Sequence, residues 1–274
     1  MHQFPCGRFR LSLARPLVMG IVNLTPDSFS GDGVGSDAER AIAHAHAQVE
    51  AGADILDLGA ESTRPGAAPV AAADELARLL PVLRGLRDVG VPVSVDTMKT
   101  EVMRAALAEG ADMINDIAAL QAPGALETVA ASDAAVCLMH MQGEPRTMQA
   151  SPQYKDVVAE VAAFLAARAA ACVEAGIARE RISLDPGFGF GKALDHNLAL
   201  LRGLGRFKEL GFPVLAGLSR KSMLGAITGK PVTERTAASV AAALLAAAHG
   251  AAVLRVHDVA ATRDALAVLN AVGY

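Results

Sequence analysis

The chain contains no tryptophan and is heavy in alanine, so its helices pack through small side chains; that absence says nothing about chemistry. It also lacks a basic excess. Lys and Arg number 25 against 29 Asp and Glu, and the net charge of -4 gives nucleic acid or an anionic membrane no electrostatic footing. Small anions remain possible partners, because they need only local positive charge. Cysteine is scarce: Cys6, Cys137 and Cys172 are an odd, widely spaced set without a C-x-x-C pair, which argues against a disulfide framework and a zinc knuckle and for a reducing compartment. Long apolar runs are missing too. The first ten residues have no core of signal-peptide length, and A237-A-S-V-A-A-A-L-L-A-A-A248 is short and bounded by polar residues, so the expectation is a cytoplasmic protein that spans no membrane. There is no Walker A loop, no G-x-S-x-G, and no cysteine with a persuasive base, which excludes a nucleotide phosphate loop and gives covalent nucleophilic catalysis no support.

What is present is a rhythm. After an extended lead-in over 1–14, in which F9-R-L-S-L13 alternates like a strand and suggests a small hairpin closing one end, apolar strands and helices alternate. Strands are expected at 16–22, 54–58, 91–95, 112–114, 135–138, 181–184, 213–216 and 252–256. Helices are expected at 37–51, 72–89, 100–109, 124–131, 155–175, 194–210, after Lys221, at 233–248 and at 259–269. A51-G-A-D54, E109-G-A-D112 and H249-G-A-A252 each put glycine at a helix end just before a strand, where a C-cap is wanted. Eight strand–helix cycles without a linker or composition shift indicate an α/β chain forming a single (β/α)8 TIM barrel over 1–274. A doubly wound sheet is the alternative, disfavoured because no G-x-G-x-x-G follows the first strand.

In a barrel the reacting groups stand where strands end. Read in order, those positions hold Asn23, Glu61 to Arg64, Asp96, Asn115, His140, Asp185, Ser219 to Lys221, and Arg255 with His257. Any one of them has a plain structural reading. Asp96 can cap the next helix, His140 can be a satisfied core histidine, and Arg220 can pair with a neighbouring helix. Together they are too many polar groups for one end of a core without a ligand, and a heterocycle with ring nitrogens, an amino group and a carbonyl would satisfy them. Lys221, Arg255 and His257 with Asn23 could hold a leaving phosphate group, with a divalent ion at the Asn23 amide oxygen. In R181-I-S-L-D-P-G-F-G-F-G-K192 a strand delivers Asp185, and alternating glycines and phenylalanines follow. That stretch reads as a pocket wall or as a tight connection with its aromatics tucked inward.

M19-G-I-V-N-L-T-P-D-S-F-S30, E61-S-T-R-P-G66, S94-V-D-T-M-K99, I114-N-D-I117, L184-D-P-G-F-G-F-G-K192, G217-L-S-R-K221 and L254-R-V-H-D258 resemble the motifs of the dihydropteroate synthase family, in order and over about residues 16 to 260. The resemblance implies a (β/α)8 homodimer of folate biosynthesis that joins 6-hydroxymethyl-7,8-dihydropterin diphosphate to 4-aminobenzoate with Mg2+ present, releases diphosphate, and is a sulfonamide target. It implies that Asp96, Asn115, Asp185, Lys221 and Arg255 bind the pterin, with Asp96, Asp185, Lys221 and Arg255 also serving catalysis. Asn23, Arg255 and His257 would hold diphosphate, Asn23 would also seat Mg2+, and Thr63, Arg64, Pro65, Ser219 and Ser222 would lie near 4-aminobenzoate, with loop 24–33 closing over the reaction. Two departures from the family pattern, Gly31 before Asp32 and Ala60 where glycine is usual, bear on the closing geometry of the first two loops. The rivals are a pterin-binding barrel that transfers methyl to a corrinoid, in which the Asn23 and Arg64 loops have no evident use, and a silent pterin-binding paralogue, which should have lost Asn23, Arg64, Lys221 or His257.

Overall fold

A computed structural model of the chain describes residues 3–25, 34–62, 69–144 and 146–273. The lead-in is a hairpin, β1 (Gln3–Cys6) paired antiparallel with β2 (Phe9–Ser12), as the alternation predicts. After it come β3 (Leu17–Asn23), α1 (Val34–Glu50), β4 (Ile55–Gly59), α2 (Ala72–Gly85), β5 (Val93–Asp96), α3 (Thr100–Ala108), β6 (Met113–Asp116), α4 (Ala125–Ala130), β7 (Ala135–Met139) and α5 (Val157–Glu174). The remainder is β8 (Ile182–Asp185), α6 (Leu194–Arg202), α7 (Gly205–Lys208), β9 (Leu215–Ala216), α8 (Ser222–Thr228), α9 (Thr236–Ala248), β10 (Val253–Val256) and α10 (Val259–Ala271).

Strands β3 to β10 form one parallel sheet in the order β8-β7-β6-β5-β4-β3-β10-β9. A parallel bridge between Leu184 and Val214, with the Leu184 amide donating to Pro213 O at 2.9 Å, brings β8 beside β9 and closes the (β/α)8 barrel. Alternate residues of each strand therefore face either the helices or the barrel axis. Val18, Val22, Leu56, Leu58, Val95, Ile114, Val136, Leu138, Ile182, Leu184 and Leu254 pack outward against the helices. Met19, Ile55, Met113, Ala135, Cys137, Leu215 and Val253 fill the interior, where Phe4 and Cys6 of the hairpin plug the amino end.

The three repeated glycines do cap helices. Gly52, Gly110 and Gly250 have φ of 98, 96 and 97°, and the amides after them reach back to Gln48, Ala106 and Ala246 carbonyls at 2.9, 3.0 and 2.9 Å. Elsewhere the expected helices are cut shorter. The span 194–210 divides at Gly203, where a Cβ would stand 2.9 Å from Val158 Cγ2 of α5, and α2 ends at Gly85, whose missing Cβ makes room for Ile42. Residues 232–234 form a 3₁₀ turn behind Pro231, so α9 starts three residues later than expected. Among the described residues no helix is long and apolar enough to cross a membrane.

Candidate active site

Toward the carboxyl ends of the strands the inward positions turn from apolar to polar: Asp57, Asp96, Asn115, Asp185 and Arg255 occupy the axis side above the Met19, Ile55 and Met113 layer. Arg255 spans this end from β10. Its Nε donates to Asp57 Oδ2 at 2.6 Å, and its Nη2 donates to Asp96 Oδ2 at 2.8 Å. Asn115 Nδ2 donates to the same Asp57 oxygen at 3.1 Å. Asp96 is thus committed to Arg255 and does not cap α3, whose N-cap position is taken by Lys99 without a side-chain cap. Asp57 is fully buried, and among the described residues its second oxygen has no hydrogen-bond partner.

On the opposite wall Asp185 closes β8. Its Oδ1 accepts from the Gly187 amide at 2.7 Å, so the turn after Pro186 fixes the carboxylate. Lys221 donates to the Phe188 carbonyl and holds its ammonium 4.5 Å from the centre of the Phe190 ring. Phe188 is fully buried and Phe190 half-buried, so the stretch serves as both a tight connection and a pocket wall.

Burial sets the electrostatics. It pushes Asp96 up to about 7 against the pull of Arg255, and it raises Asp185 against the pull of Lys221 and the Gly187 amide. Lys221 is lowered to about 8 by burial, with Asp185 opposing. Burial works against the Arg255 charge as well, but Asp57 and Asp96 outweigh it and hold the guanidinium above its ordinary value. Groups of both signs thus gather at this end of the barrel, where the carboxylates can stabilise positive charge that develops on a bound ligand.

Asn23 ends β3 and is half-buried opposite Gly59. His257 follows β10, the neighbour of β3, so Asn23, Arg255 and His257 belong to adjacent strands. Ser219 Oγ accepts from the His257 amide at 3.2 Å and lies 2.9 Å from His257 Nδ1. Ser219 is therefore engaged with His257, whereas Ser222 is exposed at the start of α8. Thr63, Arg64 and Pro65, and residues 26–33 of the first loop, lie outside the described residues. Arg220 pairs with Asp258 at 2.8 Å. His140 is a core histidine, edge-on to Phe164 at 5.0 Å and lowered to about 3 by burial, hence neutral.

Two groups in this region escape a reading of strand ends alone. Asp57 sits in the middle of β4, where it shares the inward side of the strand with Ile55. Lys192 ends the glycine-rich stretch with its side chain buried, a fate that nothing local in the sequence announces.

A family model described as pterin binding enzyme matches residues 19–257. A dihydropteroate synthase of Neisseria meningitidis serogroup B is 55% identical over 279 residues, 99% of this chain and 98% of that protein. Among solved structures, Xanthomonas albilineans dihydropteroate synthase with 4-aminobenzoic acid superposes with a TM-score of 0.92 at 53% identity, covering 99% of this chain and 98% of the other. Burkholderia cenocepacia dihydropteroate synthase complexed with 7,8-dihydropteroate gives a TM-score of 0.89 at 54% identity, with 98% and 96% covered. With the barrel, its polar end and these likenesses in agreement over nearly the full length, the chain belongs to the dihydropteroate synthase family.

Proposed function

We propose that the polar end of the barrel binds the pterin through Asp96, Asn115, Asp185, Lys221 and Arg255, and its diphosphate through Asn23, Arg255 and His257. The enzyme condenses 6-hydroxymethyl-7,8-dihydropterin diphosphate with 4-aminobenzoate to give 7,8-dihydropteroate and diphosphate. The support for the residue roles is the convergence of Asp57, Asp96, Asn115 and Arg255 in one hydrogen-bonded cluster facing Asp185 and Lys221. The relatives' complexes add to it, one holding 4-aminobenzoic acid and another 7,8-dihydropteroate.

The C–O bond to diphosphate breaks first, leaving a cationic pterin methylene. Asp96 and Asp185 stabilise that cation, while Lys221, Arg255 and His257 hold the departing anion, so both charges meet groups already in place. The neutral arylamine of 4-aminobenzoate then attacks the methylene carbon and loses a proton. It needs placement more than a strong base, because the electrophile is already a cation. Thr63, Arg64, Pro65 and Ser222 are the candidates for that placement; Ser219, which the resemblance adds to them, has its hydroxyl turned onto His257 and the diphosphate side.

Mg2+ fits the same end. Asn23 offers a hard amide oxygen, and Mg2+ takes most of its ligands from water and substrate phosphates, so one protein oxygen suits it. When bound, the ion would draw charge from the diphosphate as it leaves. Among the described residues no His, Cys, Asp and Glu cluster forms a separate metal cage. The family resemblance also carries a single barrel domain per chain, a cytoplasmic location and a homodimer, the last supported by the exposed Ile227, Leu245 and Val268 of α8 to α10.

Incubation with the pterin diphosphate, 4-aminobenzoate and Mg2+, following diphosphate and dihydropteroate by chromatography, tests the reaction. D185N tests the wall: its affinity for the pterin diphosphate should fall by about 100-fold or more, as expected for loss of a buried charged acceptor. Near-normal affinity would remove Asp185 from the pterin site.

A further inference from the structure

Five successive carbonyls of the glycine-rich loop each accept from a different side chain. Phe188 O is taken by Lys221, Gly189 O by Gln149 Nε2, Phe190 O by Lys192 Nζ at 2.9 Å, Gly191 O by Tyr154 Oη at 2.9 Å, and Lys192 O by Asn197 Nδ2 at 3.1 Å. A loop without ladder bonds is thereby fully occupied along one stretch of backbone. Lys192 is the one donor of the five that comes from the loop itself, and it takes part in no step described above.

Lys192 is only 3% exposed, and among the described residues it has no ion-pair partner. Its amine instead joins two segments. Besides Phe190 O it reaches His140 Nδ1 at 3.0 Å and His140 O at 3.3 Å, at the end of β7. The two backbones already approach as closely as glycine permits: a Cβ at Gly187 would collide with the His140 carbonyl, and one at Gly191 with the Gln142 carbonyl. The neutral His140 ring is an acceptor for the amine. Asp185 and Lys221 are the charged groups within electrostatic reach of it.

We propose that Lys192 is a positioning residue for the second substrate: by tying the Phe190 carbonyl to His140 it fixes the half-buried Phe190 ring beside the ammonium of Lys221, whose chain neighbour Ser222 is a candidate for 4-aminobenzoate. The assignment of Lys221 to the pterin wall is the reading on which this rests. With Lys192 in place, 4-aminobenzoate meets a fixed aromatic edge. Without it, the carbonyl loses its partner, the ring is free to turn, and the effect falls on the second substrate while the pterin wall keeps Asp96, Asn115 and Asp185.

The absence of tryptophan supplies the test, since F190W puts a single indole at the ring in question. In the full chain without substrates, acrylamide quenching of F190W should rise about twofold when K192M is added, and K192Q, which keeps a donor, should restore most of the protection. With the native Phe190, K192M should raise KM for 4-aminobenzoate about tenfold and leave KM for the pterin diphosphate within twofold, the scale of one lost buried hydrogen bond. Equal quenching with and without K192M would overturn the proposal. A parallel rise in both KM values with a lowered Tm in K192M and K192Q alike would overturn it as well, since that marks a general loss of structure. If the native chain made no dihydropteroate, the proposed function would fall, and the quenching comparison would still decide what Lys192 does.

Discussion

Arg255 Nε donates to Asp57 Oδ2 at 2.6 Å, joining β10 to β4 across the intervening β3. Asp57 also takes the Asn115 amide, so one buried carboxylate orients two groups assigned to the pterin. D57N should therefore act on both folding and binding. Breaking a buried pair from one side costs about 3–5 kcal/mol. Denaturant titration should show a loss of that order, and calorimetry should show pterin diphosphate affinity down by about 100-fold, as for loss of a charged hydrogen bond. Native affinity in D57N would separate Asp57 from the site.

The gap between Asp57 and its neighbours shows what a sequence carries about such a pocket. Asp96, Asn115 and Asp185 are legible because each ends an apolar run, and the end of a barrel strand is where chemistry is sought. Asp57 lies between Leu56 and Leu58, and its inward turn emerges only when the parallel register places it beside Ile21 and Ser94. The barrel and hairpin are legible from period and punctuation. The division of 194–210 at Gly203 is not, because its cause is Val158 on a distant helix. Ser219 and Ser222 are three residues apart and look alike as candidates, yet the fold turns one onto His257 and leaves the other exposed. Gln149 and Tyr154 of the β7–α5 connection meet Asn197 of α6 at the glycine loop, and no local motif announces them.

Asp96 gives a pH signature. Its ordinary value is 3.8 and burial raises it to about 7, even with Arg255 pulling the other way. The folded state thus favours the protonated form: the stabilising contribution is complete below about 4 and is lost as pH rises through about 7. D96N does not titrate there, so the native chain should lose about 2 kcal/mol relative to it between pH 4 and pH 8, beside a pH-independent cost in D96N from the lost Arg255 pair. Activity should fall in the same variant. Denaturant titrations of both chains at pH 4 and pH 8 check this, and a difference between them that stays constant across that range would contradict it.

Ser219 offers a choice between two substrates. Its hydroxyl is engaged with the His257 amide and ring, and His257 is assigned to diphosphate. S219A should then raise KM for the pterin diphosphate by about tenfold, the scale of one hydrogen bond, with KM for 4-aminobenzoate within twofold. Steady-state kinetics with each substrate varied in turn decides. The reverse pattern would put the hydroxyl on the 4-aminobenzoate side, as the family resemblance implies.

At the amino end of the barrel the same physics should govern stability without chemistry. Asp112 is 1% exposed, and it accepts from the Arg8 amide at 3.2 Å, Arg8 Nε at 3.1 Å and the Val93 amide at 3.1 Å. Gly7 precedes Arg8 with φ of 54°, and a Cβ there would stand 2.7 Å from Asp112 Cα, so the hairpin docks by close backbone approach. D112A leaves the buried Val93 amide and the part-buried Arg8 amide without an acceptor and should cost about 2–4 kcal/mol. R8A should cost at most about 1 kcal/mol through its ion pair, because that side chain is half in solvent. Neither should change kcat/KM by more than twofold, since barrel chemistry belongs to the opposite face. Denaturation and steady-state kinetics on both variants test the division, and a tenfold loss of kcat/KM in folded D112A would show that the hairpin end reaches the site.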